Sequence, residues 1–133
     1  MLITKECDYA VRILRALSTR PIMSVKEICE QENVTVPFAY KILNRLRQRE
    51  LVHAYRGAYG GYALVEDARK FTLLDVYLAM EPNLSVCACL HPEKFCTKYD
   101  GGDKQCKIRD ELVDAQEVLF ATLSRKPLIE IVR

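Results

Sequence analysis

Four of the chain's six cysteines, Cys87, Cys89, Cys96 and Cys106, fall within a stretch of twenty residues that opens CACLHPEKFC. Thiolates at such density bind zinc, hold an iron–sulfur cluster, or pair as disulfides. As a Cys₄ zinc site the set is irregular, because the single residue between Cys87 and Cys89 is shorter than the usual spacing of about two to four. Oxidation offers a Cys87–Cys89 or a Cys96–Cys106 bond instead. On spacing alone, zinc ranks first. Pro92 and the Gly101–Gly102 pair make the segment an irregular loop, which can wrap a metal centre as a helix face cannot. His91 lies between two candidate ligands but reads more simply as an exposed loop residue.

A second group of residues carries charge rather than sulfur. Residues 35–56 hold Lys41, Arg45, Arg47, Arg49 and Arg56 against Glu50 alone, in a chain whose net charge is only +2. Such a local stripe fits a polyanion, although by charge alone a solvated helix face is the simpler reading. No nucleophile–base–orienter set, phosphate loop or metalloprotease signature is present. The two histidines, His53 and His91, are far apart in sequence, so an enzyme is not expected.

The elements around these residues follow from periodicity. Ala10, Ile13, Leu14 and Leu17 recur at helical spacing over 6–19, a helix that Pro21 ends. Ser24 and Glu27 form a capping box for a short second helix, with Val25, Ile28 and Cys29 on its buried side and Asn33 closing it. Thr35 and Pro37 mark a third start, and Ala39, Ile42, Leu43 and Leu46 carry that helix to about Glu50. LVHAYR, GAYGG and YALVE then read as strand, turn and strand. Thr72 and Asp75 open a fourth helix that stops at Pro82. A last long helix runs from about Lys104 to Ser124, with Ile108, Leu112, Ala115, Leu119 and Thr122 as a narrow apolar stripe, and Pro127 precedes a short apolar tail.

The expected fold is therefore mainly α with a small β-hairpin: a winged helix-turn-helix followed by a long C-terminal helix, to which the resemblance described below gives the role of dimerisation helix. The expected divisions are 1–81 for the DNA-binding domain, 82–104 for the cysteine loop, and 105–133 for the long C-terminal helix and tail. In this geometry the N-terminal half of the third helix enters the major groove of double-stranded DNA. Thr35, Val36, Pro37, Tyr40 and Lys41 would reach the duplex first, with Asn44 and Arg45 one turn on. Arg56, Gly57 and Tyr59 would form the wing contact. Length and composition fit one compact domain, no apolar run approaches a membrane span, and the N-terminus lacks a signal peptide, so a cytoplasmic location is expected.

The stretch YKILNRLRQRELVHAYRGAYGGYALV resembles the signature of the Rrf-two family of bacterial winged-helix repressors, which includes IscR, NsrR and CymR types. The opening MLITKECDYAVRILRAL is similar to that family's first helix, and the likeness covers the whole chain. Glu50 departs from it, standing where the family usually has glycine. The resemblance implies a homodimer whose seam is Ile108, Leu112, Ala115 and Leu119, bound to a roughly palindromic operator. It also implies an iron–sulfur cluster, 2Fe–2S or 4Fe–4S, held by Cys89, Cys96 and Cys106 with Cys87 as an alternate. That cluster would sense nitric oxide, redox stress or iron–sulfur supply. Two departures stand out: nine residues separate Cys96 from Cys106, and Arg109 occupies the position of the IscR-like histidine ligand. An aspartate given by the partner subunit, as in NsrR-like members, maps onto Asp8, and Cys7 is a substitute. The alternatives are a cluster-free regulator sensing through thiols or a protein partner, and a small iron–sulfur or zinc redox protein that binds no DNA.

Overall fold

The computed structural model describes residues 3–94, 96 and 106–132. Gly101, Gly102 and the predicted helix start at Lys104 lie outside the described residues. Helix α1 (Lys5–Leu17) begins where the Thr4 hydroxyl accepts a hydrogen bond from the Cys7 N–H, and it ends before Pro21. Its predicted face is buried: Ala10, Ile13, Leu14 and Leu17, joined by Cys7 and Ala16. Helix α2 (Val25–Glu32) carries the predicted capping box, with the Glu27 N–H on the Ser24 hydroxyl and the Ser24 N–H on Glu27 Oε2. Asn33 closes α2 in the left-handed conformation, φ 52°.

Helix α3 (Val36–Gln48) starts at Thr35, whose side chain makes no capping bond, and has Pro37 in its first turn. Ala39, Ile42, Leu43 and Leu46 point into the core. Strands β1 (Val52–Tyr55) and β2 (Gly61–Leu64) pair antiparallel, with Val52 opposite Leu64 and Tyr55 opposite Gly61. Met23 adds a bridge on the far side of β2, its N–H donating to the Tyr62 carbonyl at 2.9 Å and its carbonyl accepting at 2.8 Å. A Cβ on Gly61 would sit 2.2 Å from the Met23 carbonyl oxygen. Only glycine lets that backbone approach, so Gly61 docks the wing onto the helices.

After a 3₁₀ turn (Glu66–Lys70), helix α4 (Leu73–Met80) opens on the Thr72–Asp75 capping box. A second 3₁₀ turn (Ala88–Leu90) interrupts the cysteine loop. Helix α5 (Lys107–Leu123) follows, then a short α6 (Leu128–Val132) where the sequence predicts only an apolar tail. That tail folds back: the Leu128 N–H donates to the Phe71 carbonyl at 2.6 Å, and Leu128 and Val132 join the core of α1–α4. The one buried charged side chain among the described residues, Glu32, receives Arg15 Nε at 3.2 Å. No helix among the described residues is long and apolar enough to cross a membrane.

Candidate nucleic-acid interface and cysteine loop

Burying one face of α3 forces the other outward. Thr35, Val36, Pro37, Tyr40, Lys41 and Asn44 are all exposed, and Tyr40 keeps 46% of its surface, far more than a residue covering a core edge. The wing carries Arg56, Gly57 and Tyr59 on the exposed turn, Tyr59 with 96% of its surface free. Exposed aromatic rings beside guanidinium groups suit the faces and phosphates of a nucleic acid. Among the described residues, Arg47, Arg49 and Arg56 have no carboxylate partner.

Lys41 and Arg45 are different. Both ion-pair with Glu6, in the first turn of α1, and Arg45 Nη1 also donates to the Met80 carbonyl at 3.0 Å. The Lys41 hydrogen bond holds the Glu6 carboxyl below the usual carboxylate range against its burial, and the Arg45 charge adds to that effect. Arg45 is thus half-buried and ties α3 to the ends of α1 and α4, rather than standing free one turn along the reading face. The sequence shows no sign of Glu6's role, since its partners are distant in the chain. Glu6, Arg45, Gln48 and Arg49 line an open cleft of about 730 Å³.

The same first turn carries Asp8 and Cys7, and the structure separates them. Asp8 is exposed and pairs with Arg12 at 3.0 Å, while the Arg12 guanidinium lies 5.3 Å from the Tyr9 ring centre. Cys7 is fully buried in the core, with 0% of its surface free. Its thiol is turned away from solvent, unlike the neighbouring Asp8 carboxylate that the sequence offers beside it as a ligand. Cys29 is only partly buried, packed against the core, and burial pushes its thiol up.

In the loop, Cys87 Sγ and Cys89 Sγ touch at 3.2 Å. The hydrogen bond with Cys87 and burial push the Cys89 thiol up, and Arg109 acts the other way. Arginine at that position is no ligand, but it lays a positive charge toward the thiols. The 3₁₀ turn bearing Cys89 packs against α5, whose N-cap is Cys106. Cys96 is exposed, and His91 Nδ1 accepts from the Glu93 N–H. Among the described residues no three His, Cys, Asp or Glu side chains converge on one point. The Val86 N–H donates to Gln116 Oε1 at 2.9 Å, fastening the start of the loop to the middle of α5.

Helix α5 has no buried residue within the chain. Phe120 and Leu123 lean on the core, whereas Ile108 is 74% and Val118 68% exposed, Leu112 and Leu119 are half-buried and Ala115 is exposed. Val118, which the predicted stripe omits, widens it. An apolar face of this length on a well-formed helix suits a second helix rather than water.

A family model described as "Rrf2: Iron-dependent Transcriptional regulator" matches residues 3–133. The chain is 36% identical over 87 residues to slr0846 of Synechocystis sp., a protein assigned by name to the HTH-type transcriptional regulators; the match spans 63% of this chain and 59% of that protein's length. It is 30% identical over 112 residues to protein aau3 of Rhizobium meliloti, covering 83% of this chain and 67% of that one. Among solved structures, CymR, titled the global cysteine regulator of B. subtilis, superposes with a TM-score of 0.78 at 22% identity, covering 98% of this chain and 95% of CymR. IscR of T. potens gives 0.76 at 20% identity, covering 98% and 85%. These two likenesses establish the winged-helix fold.

Proposed function

Because this chain belongs to the Rrf2 family of transcriptional regulators, and not to a family of enzymes, we propose that it acts as a homodimeric repressor whose operator binding is set by an iron–sulfur cluster. The observation that carries the DNA-binding part is the division of α3. Ala39, Ile42, Leu43 and Leu46 are buried, while Val36, Tyr40, Lys41 and Asn44 face solvent from its N-terminal half. That half enters the major groove in helix-turn-helix proteins. Val36 offers an apolar contact for a thymine methyl group and Asn44 a paired donor and acceptor for adenine. Arg47 and Arg49 supply phosphate contacts, and Arg56 with Tyr59 takes the neighbouring groove from the wing. Pairing α5 with α5 of a second copy would set two such units side by side on a roughly palindromic site.

The donor chemistry of the loop fits the cluster, since thiolates are its ligands and Cys89 and Cys106 sit on two packed elements. Cys89, Cys96 and Cys106 would hold it, with Asp8 of the second copy or Cys87 as the fourth ligand. When bound, the cluster would make ligation of the loop depend on nitric oxide, redox stress or iron–sulfur supply. The chain's own residues do the rest. Gln116 passes loop movement to α5, and Asp8 shares a helical turn with Glu6, which grips Lys41 and Arg45. A tenfold change in operator affinity requires about 1.4 kcal/mol of difference between the two states.

Anaerobically purified protein tests the proposal directly. Iron and acid-labile sulfide should be present, the protein should retard fragments of its own genome in a gel, and removing the cluster should alter that retardation. Tyr40→Ala and Arg56→Ala should weaken retardation of the selected fragment more than that of random DNA. Protein that binds no fragment in any redox state leaves only the redox carrier.

The 3.2 Å contact of Cys87 and Cys89 favours a second reading, a cluster-free thiol switch. Hydrogen peroxide would take two electrons and two protons from the pair, leaving one disulfide and two waters. Protein free of iron whose DNA binding follows the thiol–disulfide state would support that reading.

A further inference from the structure

The basic residue at the centre of the reading face does not offer its charge freely. Lys41 is the sole cation in the N-terminal half of α3, and its ammonium group pairs with Glu6 of α1. The same carboxylate takes Arg45, which is held in addition by the Met80 carbonyl at 3.0 Å. One carboxylate therefore serves two of the four cations on α3 and its C-cap, while Arg47 and Arg49 have no such partner among the described residues. The arrangement is built rather than incidental: Glu6 is on a fully formed helical turn, and its side chain is three-quarters covered. Glu6 and Arg45 also line an open cleft and Lys41 is exposed, so a phosphate can approach from solvent.

From this geometry we propose that Glu6 is an affinity-setting residue for DNA: its carboxylate occupies Lys41 and Arg45, which the phosphate backbone would otherwise take. The proposal rests on the DNA-binding reading of α3. Any duplex reaching Lys41 must displace a partner already at hydrogen-bond distance, and Glu6 adds its own repulsion to the approaching phosphates. On DNA without an operator no base contacts offset that exchange, so the latch stays closed and Lys41 releases few counterions. Glu6 belongs to a different helix from Lys41, so the latch holds only while α1 and α3 keep their relative position.

The test uses a random-sequence 30-bp duplex and fluorescence anisotropy from low to moderate salt. For Glu6→Gln, the slope of log K against log salt should steepen by about one to two, since each added phosphate contact contributes about 0.9. Affinity near 0.1 M salt should then rise about tenfold. Lys41→Met in the wild-type background should leave the slope within about half a unit, because the latched lysine makes no phosphate contact there. In the Glu6→Gln background, adding Lys41→Met should remove at least half of the gain. An unchanged slope or weaker binding in Glu6→Gln overturns the proposal. Should Glu6→Gln lose its circular-dichroism signature, Lys41→Met alone decides, and a slope shallower by a full unit overturns it. Wild-type protein that fails to bind the duplex even at low salt sinks the DNA reading and the latch together, whereas binding with indifferent slopes sinks the latch alone.

Discussion

The Val86 N–H donates to Gln116 Oε1 across 2.9 Å, joining the first residues of the cysteine loop to a helix thirty residues later. It is a side-chain bond that spans the segment 87–106 and ties the base of the loop to α5. Gln116→Leu leaves that N–H without its acceptor and should cost about 1 kcal/mol. Hydrogen exchange should speed up about fivefold at the Val86 amide while α3 amides keep their protection. Equal acceleration in α3 would mean the bond supports the whole fold rather than the loop.

The apolar side of α5 predicts its own partner. Ile108 and Val118 are mostly exposed in the single chain, and burying each against a second copy contributes about 1.5–3 kcal/mol. Ile108→Asp with Val118→Asp should therefore raise the dissociation constant of the proposed dimer by at least about a hundredfold. Sedimentation equilibrium would read the change, with the far-ultraviolet spectrum retained. A double variant that sediments as the wild type does would place the interface elsewhere.

Cys96 is exposed, so Cys96→Ala should leave the stability of the iron-free protein unchanged. The same change should abolish the visible absorbance of anaerobically prepared protein. Cys29→Ala is the control and should keep the spectrum. Comparing Asp8→Ala with Cys87→Ala then identifies the fourth ligand, because only the ligand's loss should shift the band. A full spectrum in Cys96→Ala would exclude that residue from the cluster.

Glu50 lies in the left-handed region at φ 58°, just past the end of α3, with its N–H on the Arg47 carbonyl at 3.0 Å. A side chain there costs about 1–2 kcal/mol that glycine avoids, offset partly by glycine's greater freedom when unfolded. Glu50→Gly should stabilise the protein by about 1 kcal/mol, a rise of about 4 °C in Tm. A lower Tm would show that the Glu50 side chain contributes something its backbone strain conceals.

Much of the architecture was legible in the residue order because its signals are local. The Ser24–Glu27 and Thr72–Asp75 boxes, the left-handed Asn33, the apolar positions of α1 and α3, and the glycine turn each lie within a few residues of what they control. The departure at Glu50 was visible too, and the backbone there adopts the conformation that makes glycine the usual occupant. Folding decided what depends on distant side chains and on direction. It turned Cys7 into the core and left its neighbour Asp8 outside, because adjacent helical positions point about 100° apart. It brought Glu6 to Lys41 and Arg45, and it coiled the apolar tail into α6 against Phe71. Sequence spacing fixes which residues can share a face, but only packing between elements determines which faces meet.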